Sequence, residues 1–524
     1  MEQIATTKLP SVLTPSPIPN PIAKTSPSPI TSHTTADAPT DSELDMFRPP
    51  VNRMMRTLDR SFFQKIIPLS AATVFDKKAI GSIKNELLQS KDLIFMNRII
   101  PVRIAREGPF ENVVDHWYGS KEGNQTGRRC LLLREGIKAD DTTTWSPTIQ
   151  RLVEAKSVSV HPFNVLLDYD YFTYKDIVDA ILPDTELDEV PVGFSQVGHV
   201  AHFNLREQYL PYKYLLGEIL KDKHSNVRTV INKTDEVGSH SEFRTFGYEV
   251  LAGEDDMFVN VREQDCDFAF DYSKVYWNTR LSTEHERIVS KFKKGEAVCD
   301  VMAGVGPFSI PAGKKQVFAW ANDLNPYGYQ CLEHGIAKNK VAEFVQAYNM
   351  NGRDFIRYAT EHLCNQYPRT VKHRIKIPKA EREDYAEIRQ LKPKSFVTEY
   401  IKCPRTFDHF VMNLPATAIE FLDAFIGVYA GLQELFQPYS NRQLPLIHVY
   451  CFSTNSEDEA IEHKDICQRI SERIGYTISS EDCEGGTGDQ ERELEIRDVR
   501  LVSPTKKMFC ASFRLPAEVA FKKA

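Results

Sequence analysis

The segment that most constrains the fold is AVCDVMAGVGPFSI, residues 297–310. A short apolar run ends at Asp300, a turn with two glycines follows, and an apolar helix start comes directly after the turn. This order is typical of a parallel strand whose carboxyl end meets a glycine turn, where the backbone can approach a ligand closely. The next strand-like segment, QVFAWAND, ends in Asp323. Strand and helix patterns alternate from Arg280 onward, which predicts an α/β domain with a doubly wound, mostly parallel sheet.

The polar groups around this turn predict a cofactor that contains adenosine. The carboxylate of Asp323 at a strand end suits the two hydroxyls of a ribose. Gly304 and Gly306 form a G-x-G pair, but Ser309 occupies the position of the third glycine in a dinucleotide fingerprint. That spacing disfavours an oxidoreductase, and Asp300 ahead of the glycines suits a methionine-bearing adenosine better than a pyrophosphate. A plain strand–turn–helix without a ligand is the alternative.

Two later segments also end strands in polar turns. Residues 347–355, AYNMNGRDF, close the third strand of this domain with Asn351 and Gly352, a turn suited to the edge of an adenine. Residues 408–416, DHFVMNLPA, end the fourth strand at Asn413, whose amide offers a donor and an acceptor to a planar base while the following proline stiffens the loop. In an open α/β sheet these strand ends meet in one crevice. A simple turn cap is the alternative role for Asn413.

The rest of the chain divides into a tail and two smaller domains. Residues 1–44 are rich in Pro, Ser and Thr, which predicts a disordered tail, although a transit role stays open. Residues 45–170 mix a helical segment with strand-like segments at 94–104, 128–137 and 157–169, and they predict a small α/β domain. Residues 171–279 contain an amphipathic pattern after Pro211 and then several strand-like segments, which indicate a helix and a mixed or antiparallel sheet. Residues 280–524 form the doubly wound domain.

Charge and composition limit the possible partners. The 524 residues carry a net charge of −7, so contact with RNA would need local basic patches. No run approaches the ~20 apolar residues of a membrane helix, so no membrane partner is expected. The ten cysteines form no CxxC pair, so neither a metal site nor a disulfide framework is predicted. The insertion 369–405 is basic but interrupted by acidic residues, so a phosphate-contacting segment and a solvated loop are equally supported.

As an ordered set, the motifs resemble the archaeal and eukaryotic tRNA (guanine-37 N1)-methyltransferases. The resemblance rests on VCDVMAGVGPFSI, ANDLNP, NGRDF and MNLPA, preceded by VGHVAHFNLREQYLPYKY and VYWNTRLSTEHERI. It is strong over residues 192–422 and weaker over residues 46–170. It implies methyl transfer from S-adenosylmethionine to N1 of the guanine just 3′ of the anticodon. It also implies an N-terminal domain that contacts tRNA, a middle domain and a Rossmann-like class I methyltransferase domain.

The resemblance further implies roles for individual residues. Guanine N1 carries a proton, so the reaction needs a base for that proton and a positive partner for the charge that develops on O6. Glu284 matches the proposed base, Arg244 the partner of O6, and Asn413 the residue that orients the guanine. A surface ion pair between Glu284 and Arg287 is the alternative. Residues expected at the cofactor are His285 (through its backbone), Asp300, Gly304, Gly306, Asp323, Leu324, Asn351, Gly352 and Asn413, with Tyr276 and Arg280 expected to line the site.

Two other functions stay open on the sequence alone. A transferase that moves the aminocarboxypropyl group of the same cofactor in wybutosine synthesis shares this architecture, and a non-catalytic RNA-binding protein is a rival of another class. The Asn-Leu-Pro loop together with Arg244 and Glu284 favours methyl transfer over the first rival. The intact strand-end residues Asp300, Asp323 and Asn413 disfavour the second. The resemblance suggests the cytoplasm, the nucleus and the mitochondrial matrix as locations, and a monomer is expected.

Overall fold

The computed structural model describes residues 46–105, 114–118, 128–183, 193–234, 243–365, 369–376, 396–456, 458–479 and 494–523. The predicted tail and residues 377–395 of the basic insertion lie outside the described residues. The described chain separates into two compact units. The first unit comprises the described residues up to Pro49 together with Gln64–Tyr171, and the second comprises Pro50–Phe63 and the described residues from Phe172 onward.

The first unit is built on a five-stranded sheet. Its elements are β1 (Lys65–Val74), α1 (Ile80–Gln89), β2 (Val102–Ala105), β3 (Val114–His116), β4 (Arg128–Leu132), α2 (Pro147–Glu154) and β5 (Val158–Leu167). The strand order is β2-β4-β1-β5-β3, and all pairs are antiparallel except β3 with β5. Helix α2 begins where the Ser146 side chain accepts a hydrogen bond from the backbone N–H of Ile149. The small α/β fold expected for this region is therefore present.

Two details of this unit differ from the sequence prediction. The strand-like segment at 94–104 forms a strand only from Val102, whereas the central strand β1 has no counterpart among the predicted strands. Strand β1 contains Pro68 and a run of small residues, so its local β-propensity is low. Pairing on both sides, with β4 and β5, supplies the stabilisation that its own sequence lacks.

The second unit starts with a helix-and-sheet region. Its elements are α3 (Tyr174–Ile181), β6 (Ser195–Val197), β7 (Val200–Phe203), α4 (Lys213–Lys223), β8 (Thr229–Lys233), β9 (Tyr248–Gly253), β10 (Phe258–Glu263) and β11 (Cys266–Asp271). Strands β6-β7-β8-β9 form a mixed sheet in which only β7 and β8 are parallel. The helix predicted after Pro211 is α4. Strands β10 and β11 pair only with each other as a hairpin, so the strands expected in one sheet are divided between two.

The C-terminal region of the second unit carries the seven-stranded sheet. Its elements are α5 (Ser282–Lys291), β12 (Ala297–Asp300), α6 (Ser309–Lys314), β13 (Phe318–Asn322), α7 (Pro326–Lys338), β14 (Val345–Tyr348), α8 (Gly352–Asn365), β15 (Thr370–Lys376), β16 (Phe396–Lys402), β17 (His409–Met412), β18 (Leu446–Thr454), α9 (Glu459–Ile474), β19 (Leu494–Ser503), β20 (Lys506–Arg514) and α10 (Ala517–Ala520). The order is β14-β13-β12-β17-β18-β20-β19. The first five strands are parallel, and β20 runs antiparallel to both neighbours. This confirms the doubly wound, mostly parallel sheet.

The sheet centre explains where a ligand can bind. Every residue of β12, β13 and β17 is buried, as expected for parallel strands covered on both faces. Trp320 in β13 is fully buried among these apolar side chains. Chain order reverses between β12 and β17, and ligands of open α/β sheets bind at the carboxyl ends of the strands beside such a reversal. Strands β15 and β16, which lie in the basic insertion, form a separate two-stranded antiparallel sheet.

Two features with functional implications are absent from the described residues. None of the described helices combines the length and the apolar character that crossing a membrane requires. No group of three or more His, Cys, Asp or Glu side chains in the described part of the chain is arranged to hold a metal ion.

Candidate functional site

A cavity opens at the carboxyl ends of the central strands of the seven-stranded sheet. It is formed by the loops that follow β12, β13 and β17, by the first turn of α5, and by the segment before β9. Most of the residues expected at the site meet here. Those that line the cavity are Arg244, Tyr276, His285, Gly304, Asp323, Leu324, Asn351, Gly352 and Asn413. Residues from distant parts of the sequence therefore share one concave surface.

Asp323 holds the glycine turn in place. Its Oδ2 accepts a hydrogen bond of 2.7 Å from the backbone N–H of Gly304, and its Oδ1 accepts one of 2.9 Å from the N–H of Asn325. Burial raises the pKa of the Asp323 carboxyl above its ordinary value, and these two bonds oppose the shift. Gly304 has φ +56°, and a Cβ there would meet no atom within 4 Å. The glycine backbone therefore borders open space beside the half-buried carboxylate of Asp323.

Asp300 and Gly306 are not among the residues that line the cavity, so their contact with a cofactor stays a prediction. Asp300 is fully buried, and its Oδ2 accepts a hydrogen bond of 2.5 Å from the Ser309 hydroxyl. Its Oδ1 is buried and has no hydrogen-bond partner within the described chain. Burial raises the pKa of Asp300 to about 7. Gly306 has φ +91°, and a Cβ there would lie 2.7 Å from a methyl carbon of Leu332, so it serves the packing of the turn.

Asn322 is a residue that the sequence reasoning missed. Its side chain is buried at the end of β13 and donates hydrogen bonds to the carbonyls of Val301, at 3.1 Å, and Met350, at 3.0 Å. It also accepts a bond of 2.8 Å from the N–H of Met350. One amide thus joins the loops after β12, β13 and β14. Its position directly before Asp323 at a strand end is the signal that could have revealed it.

Arg244 projects toward the cavity from a left-handed backbone conformation. Its φ is +58°, a region that non-glycine residues rarely adopt and that costs about 1–3 kcal/mol. The guanidinium carbon lies 4.3 Å from the centroid of the Tyr276 ring, a cation–π contact. Burial lowers the pKa of Arg244, and Tyr276 opposes that shift. The stacking on Tyr276 holds the Arg244 side chain beside the opening.

Glu284 is close to the cavity but does not line it. Its side chain is 6% exposed on the first turn of α5, where Arg287 donates two hydrogen bonds to the carboxylate, of 2.7 and 2.8 Å. The Tyr450 hydroxyl donates a third bond, of 2.8 Å. The ion pair with Arg287 that the sequence offered as an alternative is therefore formed, although it is buried.

His285 is the next residue of α5, and its side chain does line the cavity. Its Nδ1 lies 2.6 Å from Oε1 of Glu263 at the end of β10, and both side chains are at most 10% exposed. The imidazole packs edge-on against Phe308 of the glycine turn, with ring centroids 4.8 Å apart. The sequence reasoning expected a backbone role for His285 and did not identify Glu263. No local motif links these two residues, so only the fold reveals the pair.

Comparisons with known proteins assign the family. Two family models match the chain, one described as the TYW2 N-terminal domain over residues 174–256 and one as the TRM5/TYW2 methyltransferase domain over residues 259–383. A protein from Ajellomyces capsulatus named tRNA (guanine(37)-N(1))-methyltransferase is 72% identical over 524 residues, covering 100% of both chains. The chain belongs to the tRNA (guanine(37)-N(1))-methyltransferase family. A protein of the same name from Schizosaccharomyces pombe is 42% identical over 469 residues, covering 90% of this chain and 96% of that relative.

Solved structures support the fold assignment. Trm5b from Pyrococcus abyssi superposes with a TM-score of 0.51 at 19% identity, covering 85% of this chain and 99% of that chain. The structure titled as the complex of aTrm5 and tRNALeu superposes with a TM-score of 0.50 at 17% identity and the same coverage. At these identities the likeness shows a shared fold. The family resemblance read from the sequence motifs is thus confirmed, and it favours methyl transfer over the aminocarboxypropyl and non-catalytic alternatives.

Proposed function

We propose that the chain methylates N1 of guanosine 37 in tRNA with S-adenosylmethionine as the methyl donor. The observation that carries the proposal is the single cavity at the strand ends, where Asp323 and Asn351 meet Asn413 and Arg244. The first pair suits an adenosine and the second pair suits a guanine. Membership of the methyltransferase family supplies the reaction type.

The residues of the cavity fit the adenosine part of this cofactor. The half-buried Asp323 carboxylate keeps unused lone pairs beside its two backbone donors, so it can accept hydrogen bonds from the two ribose hydroxyls. Gly304 leaves its backbone open to close approach. Asn351 and Gly352 begin α8 at the cavity wall, where the polar turn suits the adenine edge. When bound, S-adenosylmethionine supplies an activated methyl group.

The other end of the cavity suits the target guanine. Arg244 can place its guanidinium near guanine O6 and compensate the negative charge that develops when the N1 proton leaves. Tyr276 holds the guanidinium by stacking. Asn413 lies at the cavity wall after β17, where its amide can pair with the base edge. These three residues would bind and orient guanine so that N1 faces the methyl group.

Glu284 is our candidate for the base that accepts the N1 proton. Its carboxylate accepts bonds from Arg287 and Tyr450 in this structure and does not face the cavity. Its Oε2 accepts only one of these bonds and keeps an unused lone pair, so to act as the base Glu284 must bring this oxygen to face the cavity when tRNA binds. Catalytic contacts that form only in the substrate complex are common in enzymes.

Contact with the tRNA backbone would come from local basic groups. Burial lowers the pKa of Arg500 on β19, and the nearby positive charge of Arg280 lowers it further while Tyr276 opposes the shift. Two arginines whose positive charges act on each other in this way are stabilised by an anion such as a phosphate. Tyr276, whose charge also acts on Arg500, lines the cavity, whereas neither arginine does. We therefore propose that they hold the phosphates beside the extruded guanosine.

The direct test is incubation of the purified chain with S-adenosylmethionine labelled in the methyl group and an unmodified tRNA. We expect label in the tRNA, located after digestion in 1-methylguanosine from position 37, and none when guanosine 37 is replaced by adenosine. Transfer of the aminocarboxypropyl group would label nothing with this donor but would add its larger mass to the nucleoside. Absence of both products would contradict the proposed function.

A further inference from the structure

We infer that Glu495 is a positioning residue for the methylation step, which balances the positive charge of Arg287 when Glu284 turns to face the guanine. The inference deepens the proposed function and rests on it, since it concerns the residue proposed as the base. The observation behind it is a guanidinium that is shared between two carboxylates, those of Glu284 and Glu495.

Arg287 presents different nitrogen atoms to the two carboxylates. Its Nε and Nη2 donate hydrogen bonds of 2.7 and 2.8 Å to Glu284, and its Nη1 donates one of 3.3 Å to Glu495. Glu284 lies three residues before Arg287 on α5, whereas Glu495 lies on the edge strand β19. Among the described residues, these are the two carboxylates that pair with Arg287. The guanidinium therefore joins the helix of the proposed base to the edge of the seven-stranded sheet.

The burial of the pair makes a second carboxylate necessary. The side chains of Glu284 and Arg287 are 6% and 16% exposed, so a charge left there without a partner is strongly destabilising. Burial lowers the pKa of Arg287, but its bonds with Glu284 and the nearby negative charges outweigh this effect and raise the pKa overall. Arg287 thus stays positive. When Glu284 turns away, Glu495 is the carboxylate that remains in contact with it.

The hydrogen bonds of Glu284 show which contact opposes its turn. Its Oε2 accepts the bond from Nε of Arg287, and its Oε1 accepts those from Nη2 and from the Tyr450 hydroxyl. An Oε2 that faces the cavity leaves the position in which it now accepts the Nε bond, while the bonds to Oε1 can remain. The attraction of Arg287 opposes this movement. The negative charge of Glu495 offsets part of that attraction, because it acts on the same guanidinium.

Lys291 determines how much of this negative charge acts on Arg287. Its Nζ lies 2.7 Å from Oε2 of Glu495, whereas Arg287 contacts Oε1 of the same carboxylate. Removal of Lys291 would leave Glu495 to Arg287, and removal of Glu495 would leave Arg287 to Glu284. The two changes break the same ion pair between Lys291 and Glu495, but they have opposite consequences for the base.

The test is single-turnover methylation at saturating S-adenosylmethionine and tRNA, with the unsubstituted full chain, Glu495→Gln and Lys291→Gln. Glu495→Gln should slow methylation by about fivefold or more, while the Kd for S-adenosylmethionine in calorimetry changes by less than about twofold. Lys291→Gln is the matched control, since it breaks the same ion pair and keeps the carboxylate. Its methylation rate should equal or exceed that of the unsubstituted chain.

The Glu284→Gln background separates positioning of the base from support of the fold. There, Glu495→Gln should cause no further loss of rate, because no carboxylate remains to be released. An equal loss in both backgrounds would overturn the inference, as would an unchanged rate in Glu495→Gln or an equal loss in Lys291→Gln. If the unsubstituted chain methylated guanosine 37 in each of these cases, the proposed function would stand without this inference. Absence of methylation by the unsubstituted chain would contradict both.

Discussion

Asp323 and Asp300 are aspartates at the ends of adjacent strands, but Asp323 is only half-buried whereas Asp300 is fully buried, and their partners differ. Asp323 is bonded to two backbone N–H groups at the cavity wall, whereas Asp300 is bonded to one hydroxyl behind it. A carboxylate at the cavity wall can form hydrogen bonds with a ligand. A carboxylate behind the wall can act only on the conformation of the glycine turn. Substitutions at the two positions should therefore have different consequences.

Asp323→Ala should weaken S-adenosylmethionine binding by about 10- to 100-fold, because the charge-assisted bonds to the ribose are lost. Calorimetric titration measures this change. Asp354→Ala is the control, since Asp354 is exposed on the first turn of α8. Unchanged affinity in Asp323→Ala would count against the ribose role.

Asp300→Asn should alter the pH dependence of stability in the ligand-free chain. The pKa of Asp300 is raised to about 7 in the folded state from an ordinary value of 3.8. Ionisation of Asp300 therefore opposes folding, and its cost grows as the pH rises from about 4 to about 7, at roughly 1.4 kcal/mol per pH unit. The Tm of Asp300→Asn relative to the unsubstituted chain should rise between pH 5 and pH 8. A constant Tm difference over that range would contradict the assigned pKa.

Glu284→Gln tests whether Glu284 is the general base of the reaction. If Glu284 accepts the N1 proton, the methylation rate should fall by about 100-fold or more while the Kd for S-adenosylmethionine changes little. Single-turnover methylation and calorimetry give the two values, with Glu286→Gln as the exposed control on the same helix. A fall in Tm that explains the whole loss of activity would instead assign Glu284 to its buried contacts with Arg287 and Tyr450.

The element that organises the site is the strand–turn–helix from β12 to α6. Both of its glycines have positive φ, but an added side chain would meet different surroundings at the two positions. A side chain at Gly304 would enter open space, whereas one at Gly306 would collide with Leu332 and Ile310. The first glycine keeps the backbone open toward the cavity, and the second lets α7 pack against the turn.

Gly306→Ala should destabilise the fold by about 1–3 kcal/mol, since it combines overpacking with backbone strain. Thermal unfolding measures the change. Gly81→Ala is the control of opposite sign, because Gly81 lies in α1 with nothing within 4 Å of the added Cβ. It should raise stability by up to about 1 kcal/mol. Equal Tm values for Gly306→Ala and the unsubstituted chain would show that the turn tolerates a side chain.

At the scale of the whole molecule, the sequence predicted best those features that are encoded locally. The parallel sheet was predictable because β12 and β13 are continuous apolar runs that end in polar residues. Strand β1 was not predictable, since its stability comes from partners on both sides. The pair of Glu263 and His285 was also beyond sequence reasoning, because it depends on where the β10–β11 hairpin meets α5. Features that depend on tertiary placement need the fold.

The net charge of −7 leads to a prediction about tRNA binding. The chain as a whole repels a polyanion, so affinity must come from few local contacts, such as those proposed for Arg280 and Arg500. Each of Arg280→Gln and Arg500→Gln should reduce the slope of log Kd against log salt by about 1. Filter binding at several salt concentrations measures the slope. An unchanged slope in both variants would place the phosphate contacts elsewhere.

The Asn322 amide has a consequence for how a ligand enters. Because this one buried side chain bonds to backbone groups of two loops, the half of the cavity proposed for adenosine is already assembled before anything binds. Little conformational entropy is then lost when a ligand is captured there. Affinity at this end would thus reflect direct contacts, with only a small cost for ordering the loops.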